Sequence, residues 1–346
     1  MQTKSKRMIS VLLVLAAALV LIIAVVSVRE ADGDIVYKKN FGGSGTDVYY
    51  SVAEIPGGYI AVGYSENSSF GSGDWSGAAR NGGYDAIIVK YDDNGNVVWA
   101  KNFGGSGPDC FNSVTPVPGG FVAVGYSGNG SFGNGDWSGV AGKGGNDAIV
   151  VKYDDDGNVV WKKNFGGAGG DYYYSVTAAP GGFIAAGYSE EGSFGYGDWS
   201  GVAGKGGSDA IIVKYDNSGN VVWKKNFGGP DGDYFRSVTA ASDGFIAVGY
   251  SEEGSFGNGD WSGVNGKGDS DAIAVKYDGD GNITGKRNFG GSGSDAYQSV
   301  TAASGGFVAV GESAPGSFGN GDWSGVSGKG GNDAIAVKQK DIISPA

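Results

Sequence analysis

A unit of 62 residues is written five times along this chain, and that periodicity constrains the fold more than any other feature. Asn-Phe-Gly-Gly begins at Asn40, Asn102, Asn164, Asn226 and Asn288. Asp-Trp-Ser-Gly begins at Asp74, Asp136, Asp198, Asp260 and Asp322, and Asp-Ala-Ile at Asp85, Asp147, Asp209, Asp271 and Asp333. Strict self-similarity at this length means a propeller, a solenoid or an array, because one such unit cannot bury its apolar face alone. Near-identical units also make near-identical sites, which suits multivalent binding better than one asymmetric catalytic centre.

Each unit holds four short runs rich in β-branched and aromatic residues. In the third they are Ser175–Ala179 (A), Gly182–Tyr188 (B), Asp209–Tyr215 (C) and Asn220–Lys225 (D). Length and composition read as strands, separated by the turn signals Pro180-Gly181 and Asp216-Asn-Ser-Gly219. A four-stranded meander repeated five times predicts an all-β, five-bladed β-propeller. The small side chains of run A suit an inner strand, and the paired lysines of run D suit an outer edge. The chain opens on a lone D-like run, Ile35–Lys39, and ends after a C-like run, Asp333–Lys338. The N-terminal strand is therefore expected to complete the fifth blade and close the ring. Trp99, Trp161 and Trp223 of run D are expected to pack between blades, with Gly285 leaving the fourth outer strand under-packed.

The order Asp-Ala-Ile-x-Val-Lys-Tyr, Gly-Asn-Val-Val-Trp, Phe-Gly-Gly, Ser-Val, Gly-Phe-Ile-Ala-Val-Gly-Tyr resembles the surface β-propeller (SBBP) repeat family of bacteria and archaea. The resemblance covers residues 35–338. It implies an exported, surface-associated propeller and carries over no catalytic residue. The Gly-rich Asp-Trp loop departs from the usual pattern.

Composition narrows the chemistry. The net charge is −12, which opposes nucleic acid as a partner. There is no histidine and one cysteine, Cys110, so disulfides, thiolate metal sites and Ser-His or Cys-His nucleophiles are absent. Ahead of the repeats, Lys4, Lys6 and Arg7 precede 21 uncharged residues, Met8–Val28. At about 1.5 Å per residue these span roughly 30 Å, the thickness of a bilayer core. The reading is a basic cytoplasmic segment (1–7), a signal anchor or cleaved signal (8–28), a linker (29–34) and the repeats (35–346) outside the cell membrane, or secreted if cleavage occurs.

In an up-down meander the A–B and C–D turns share one face, here minimal. The B–C and D–A loops share the other, and the B–C loop runs about 20 residues, as in Ser189–Ser208. Three repeated features fall there. Trp75, Trp137, Trp199, Trp261 and Trp323, each preceded by Asp74, Asp136, Asp198, Asp260 or Asp322, offer an aromatic plane beside a carboxylate, as a sugar needs. The same indoles, with Phe70, Phe132, Phe194, Phe256 and Phe318, also suit a small core inside the loop. Asp47, Asp109, Asp171, Asp233 and Asp295 precede strand A, where a ring of carboxylates suits calcium, and a turn-capping role suits them too. Beside the constant Ser51, Ser113, Ser175, Ser237 and Ser299 stand the changing Tyr50, Asn112, Tyr174, Arg236 and Gln298, tuned positions or drift. The Asp-rich hairpins such as Asp154–Asn158 lack the distal glutamate of a calcium-binding EF-hand and read as tight turns.

The expected function is a non-enzymatic surface propeller, anchored by its N-terminal helix, that binds glycans or matrix polymers through five Asp-Trp loops acting by avidity. The alternative is a structural or protein-interaction module that meets a surface protein and takes no small ligand. A glycosidase needs two differently tuned acids at a set separation. The acids that break the repeat, Glu66, Glu190, Glu191, Glu252, Glu253 and Glu312, read as loop variants instead.

Overall fold

A computed structural model of the protein describes residues 35–342. The segment 8–28 and its linker lie outside the described residues. Among the described residues no helix is long and apolar enough to cross a membrane. The chain divides after Asn40 into two units. Of the first, residues 35–40 form no strand.

The second unit is a run of antiparallel sheets in sequence order. Blade 1 contains β1 (Asp47–Ile55), β2 (Gly58–Glu66), β3 (Tyr84–Asp92) and β4 (Val97–Phe103). Blade 2 contains β5 (Asp109–Val117), β6 (Gly120–Ser127), β7 (Asp147–Tyr153) and β8 (Val159–Phe165). Blade 3 contains β9 (Asp171–Ala179), β10 (Gly182–Glu190), β11 (Ser208–Asp216) and β12 (Val221–Phe227). Blade 4 contains β13 (Asp233–Ala241), β14 (Gly244–Glu252), β15 (Ser270–Tyr277) and β16 (Ile283–Phe289). Blade 5 has three strands, β17 (Asp295–Ala303), β18 (Gly306–Ser313) and β19 (Asp333–Lys340). The architecture is all-β and propeller-like, with the strand order expected from the repeat. The C–D hairpins are closed by their own aspartates: Asp154 Oδ1 accepts from the amides of Asp156 and Asn158 at 3.0 and 2.8 Å, a tight turn.

The core lies between blades. Alternate side chains of a strand point to opposite faces, so each blade gives one apolar face to its successor and the other to its predecessor. Ile60, Val62, Ala86 and Ile88 of blade 1 pack on Phe111, Val114 and Phe121 of blade 2. The same joint recurs between blades 2 and 3, 3 and 4, and 4 and 5. A polar staple accompanies it. Ser51, Ser113, Ser175 and Ser237 accept through Oγ from the amides of Val114, Val176, Val238 and Val300 at 3.1–3.4 Å.

Among the described residues no strand pairs with the outer side of β19, and the expected ring closure is not shown. Val52 on the leading face of blade 1 is 65% exposed, whereas Val114, Val176, Val238 and Val300 are 5–9% exposed. Val310 on the trailing face of blade 5 is 43% exposed, whereas Val62, Val124 and Val248 are 0% exposed.

The C-terminus corrects one further expectation. The Trp99 ring lies against Gly157 in the hairpin of the following blade, and Trp161 and Trp223 lie likewise against Gly219 and Gly281. Trp99 and Trp223 Nε1 donate to the carbonyls of Asp155 and Gly279 at 3.2 Å. Blade 5 has no such hairpin. Ile342 occupies that place instead, so close to Gly285 that a Cβ there would meet its Cγ2 at 2.6 Å. Gly285 is a fitted contact rather than an under-packed position. Beside it Lys276 pairs with Asp341 and Asp243 at 2.7 and 2.9 Å.

Candidate functional site

The tryptophans of the Asp-Trp loops pack into the fold. Trp75, Trp137, Trp199 and Trp261 are 0–2% exposed, and Trp323 is partly buried. Each indole stands edge-on to the phenylalanine of Phe-Gly-Gly, at centroid distances of 4.9–5.1 Å. It also packs on the loop's own Phe70, Phe132, Phe194, Phe256 or Phe318 at 4.9–5.1 Å. Its Nε1 donates to Ser65, Ser127, Ser189, Ser251 or Ser313 at 2.9–3.1 Å. The four buried indoles therefore have no face open to a sugar. Their neighbours Asp74, Asp136, Asp198, Asp260 and Asp322 accept from the first glycine amide of the D–A loop at 2.9–3.1 Å. Asp198, Asp260 and Asp322 also pair with Lys143, Lys205 and Lys267 of the preceding unit. Here the B–C and D–A loops lock together, and adjacent units are tied.

Asp47, Asp109, Asp171, Asp233 and Asp295 brace the same loops. Their Oδ2 atoms accept from Gly43, Gly105, Gly167, Gly229 and Gly291 amides at 2.8–2.9 Å. Serine hydroxyls of Ser69, Ser131, Ser193, Ser255 and Ser317 donate to the same oxygens at 2.7–2.9 Å. In four units Oδ1 takes the tryptophan N–H at 3.0–3.2 Å. In the second unit Asp109 Oδ1 is enclosed without a partner. Among the described residues no three His, Cys, Asp or Glu side chains form a metal cluster. Burial pushes the Asp109 and Asp171 carboxyls up to about 6, against the lowering effect of these hydrogen bonds.

The changing residues behave differently. In every blade the A–B register slips by one residue, pairing Tyr49 with Gly63 and then Ser51 with Val62. The slip recurs at the same place in blades 2 to 5. The residue left unpaired is Tyr50, Asn112, Tyr174, Arg236 or Gln298. A β-bulge re-aims its extra side chain. The backbone approach it needs is supplied opposite by glycine, since a Cβ on Gly63 would lie 1.8 Å from the Val48 carbonyl oxygen. All five bulge residues line one cavity of about 540 Å³. They reach it from five blades, so the A strands face a shared axis.

Tyrosines that sequence reasoning passed over complete the wall. Tyr64, Tyr84 and Tyr126 line the same cavity. Tyr84 and Tyr126 hydroxyls are 2.8 Å apart. A belt continues through Tyr174–Tyr188 and Tyr188–Tyr234 at 5.9 and 4.9 Å and Tyr234–Tyr250 at 4.7 Å. Tyr64, Tyr126, Tyr188 and Tyr250 end the repeated Gly-Tyr of strand B, a signal visible in the sequence but read there only as strand. Glu312 replaces the tyrosine in blade 5. Cys110 also lines the cavity, and burial pushes its thiol up to about 12, far from a reactive thiolate at neutral pH. Of the acids that break the repeat, Glu66 lines the same cavity. Glu66, Glu190 and Glu252 accept from the amides of Thr46, Gly170 and Gly232 at 2.9–3.2 Å, and Glu312 from Asn332.

The fold is that of a propeller-like β-meander repeat. No protein-family profile matches the chain, and no curated protein sequence does. Among solved structures it is similar to BamB from Moraxella catarrhalis, at 13% identity and TM-score 0.39, over 80% of this chain and 60% of that one. An apocarotenoid oxygenase from Synechocystis is similar at 12% identity and TM-score 0.37, over 81% of this chain and 58% of that one. Sqt1 from Chaetomium thermophilum is similar at 11% identity and TM-score 0.35, over 79% and 68%. The chain thus spans about 60% of the length of the first two.

Proposed function

We propose that the protein is a non-enzymatic binding module that takes one glycan or surface-polymer unit at its axial cavity, rather than five at its Asp-Trp loops. One observation carries this. A position that changes from repeat to repeat is the bulge of strand A, and its five side chains meet in one cavity. The constant landmarks are engaged in bracing loops and joining blades. Repetition here builds a symmetric frame, and the departures from it build one asymmetric site. Tyrosine faces suit the C–H surface of a sugar ring, and Asn112 and Gln298 suit its hydroxyls. Export and anchoring rest on the sequence of 8–28, and the likeness to surface propeller repeats agrees with them.

The test is a glycan array probed with the full-length protein and two variants. Tyr174→Ala, in the cavity, is expected to lose binding with an unchanged melting temperature. Trp199→Phe, in a loop, is expected to keep it. The opposite pattern would return the site to the loops. A protein-interaction role is favoured by a different observation. The outer strands present Val97 and Val98, Val159 and Val160, and Val221 and Val222 at 42–56% exposure, an apolar rim repeated around the edge. A blank array with recovery of one surface protein through that rim would support it.

A further inference from the structure

We propose that the axial cavity selects a carboxylate-bearing saccharide unit through Arg236, an assignment that rests on the axial-site reading above. Arg236 is the bulge residue of β13 and lines the cavity. Its guanidinium lies 4.5 Å from the centre of the Tyr174 ring, 5.4 Å from that of Tyr250 and 5.9 Å from that of Tyr234. One Nη2–H donates to the Tyr250 hydroxyl at 3.3 Å. The Nε–H is enclosed with no acceptor. Among the described residues no ion pair joins Arg236 to a carboxylate.

Each of the acids nearby holds a hydrogen-bond partner of its own. Glu66 accepts from Thr46 N, and Glu312 from Asn332 Nδ2. Asp295 takes Gly291 N, Ser317 Oγ and Trp323 Nε1. A partly buried positive charge without a counter-ion is costly unless something pairs with it. In a chain of net charge −12, a lone cation set in aromatic rings at the axis marks a place for an incoming anion. The guanidinium N–H groups that Tyr250 does not use leave a donor fork that a carboxylate matches. Tyr50 and Tyr64 add flat apolar faces, which favours an anion carried on a sugar ring over a bare one.

The experiment is calorimetric titration of the full-length protein with glucuronate, glucose and sulfate, repeated on Arg236→Gln and Arg236→Lys, each checked for an unchanged melting temperature. Glucuronate is expected to bind about 10- to 100-fold tighter than glucose, the range a charge-assisted hydrogen bond supplies. Arg236→Gln is expected to erase that preference, and Arg236→Lys to restore only part of it. Equal binding of glucose and glucuronate overturns the carboxylate assignment while leaving the axial site standing. Sulfate binding as tightly as glucuronate overturns the saccharide assignment. If neither sugar binds the folded protein, the proposal fails, and the Tyr174→Ala array result decides the axial site separately. The wild-type comparison of the ligands holds even if Arg236→Gln fails to fold.

Discussion

A buried hydroxyl in every second blade offers a sharp test of the packing. In blade 1 Tyr49 and Tyr91 hydroxyls are 2.7 Å apart, and in blade 3 Tyr173 and Tyr215 are also 2.7 Å apart. In blade 5 Tyr297 is met by Gln339 at 3.0 Å. Blades 2 and 4 carry Phe111 and Phe235 at the strand A position, and the hydroxyls of Tyr153 and Tyr277 are enclosed with no partner. The rings are placed alike. Phe235 and Tyr277 centroids are 6.3 Å apart at 88°, and Tyr173 and Tyr215 are 6.3 Å apart at 90°. Phe235→Tyr therefore adds a hydroxyl where its counterpart already fits. Leaving a buried polar group unpaired costs about 1–3 kcal/mol. We expect Phe235→Tyr to stabilise the protein by about 1–2 kcal/mol, a rise in Tm of roughly 2–6 °C for a domain of this size. Tyr277→Phe, which removes the orphan, is expected to be neutral or stabilising by about 1 kcal/mol. Tyr215→Phe, which orphans Tyr173, is expected to cost about 1–3 kcal/mol. Thermal and urea unfolding read all three. Destabilisation by Phe235→Tyr, or equal losses from Tyr277→Phe and Tyr215→Phe, would refute the reasoning.

Three further outcomes follow from the same joints and braces. Trp199→Ala should cost about 3–5 kcal/mol of stability in urea unfolding, as for a buried aromatic; near-wild-type stability would show that the indole is not structural. Val248→Lys should cost about 3–5 kcal/mol and Val310→Lys less than about 1 kcal/mol, because only the first buries a charge. Similar unfolding midpoints for those two would mean that blades 1 and 5 meet in solution. Burial pushes Asp109, Asp171, Asp209 and Asp271 up to about 6 from an ordinary value near 3.8. Folding then favours their protonated forms, a contribution fully present below about 4 and lost as pH rises through about 6. Tm should rise as pH is lowered from 7 to 5, and a steady fall over that window would contradict these shifts.

The period of the repeat made the blades legible, because strand composition and turn residues recur in register with it. Strand order, the loop-rich face and the tight Asp-Gly turns follow directly. Closure was not legible, since it depends on the angle accumulated over four joints and not on any residue. Gly285 showed the same limit: its partner, Ile342, is a C-terminal residue that no other repeat contains. The site divided along a clear physical line. Asp-Trp has the chemistry of a sugar contact, and only burial shows that Trp199 turns inward to Asp171 and Ser189. The changing position beside the constant serine was visible, but a bulge is a property of register. In sequence Tyr50 and Arg236 read as tuned positions or drift, and the slip opposite Gly63 and Gly249 brings them to one cavity.

The most direct test of the axial site is stoichiometry. Calorimetric titration of the folded full-length protein with a monovalent saccharide from the array should give about one ligand per chain, from the single cavity bounded by Tyr50, Asn112, Tyr174, Arg236 and Gln298. About five per chain would contradict the account and place the ligands on the repeated loops.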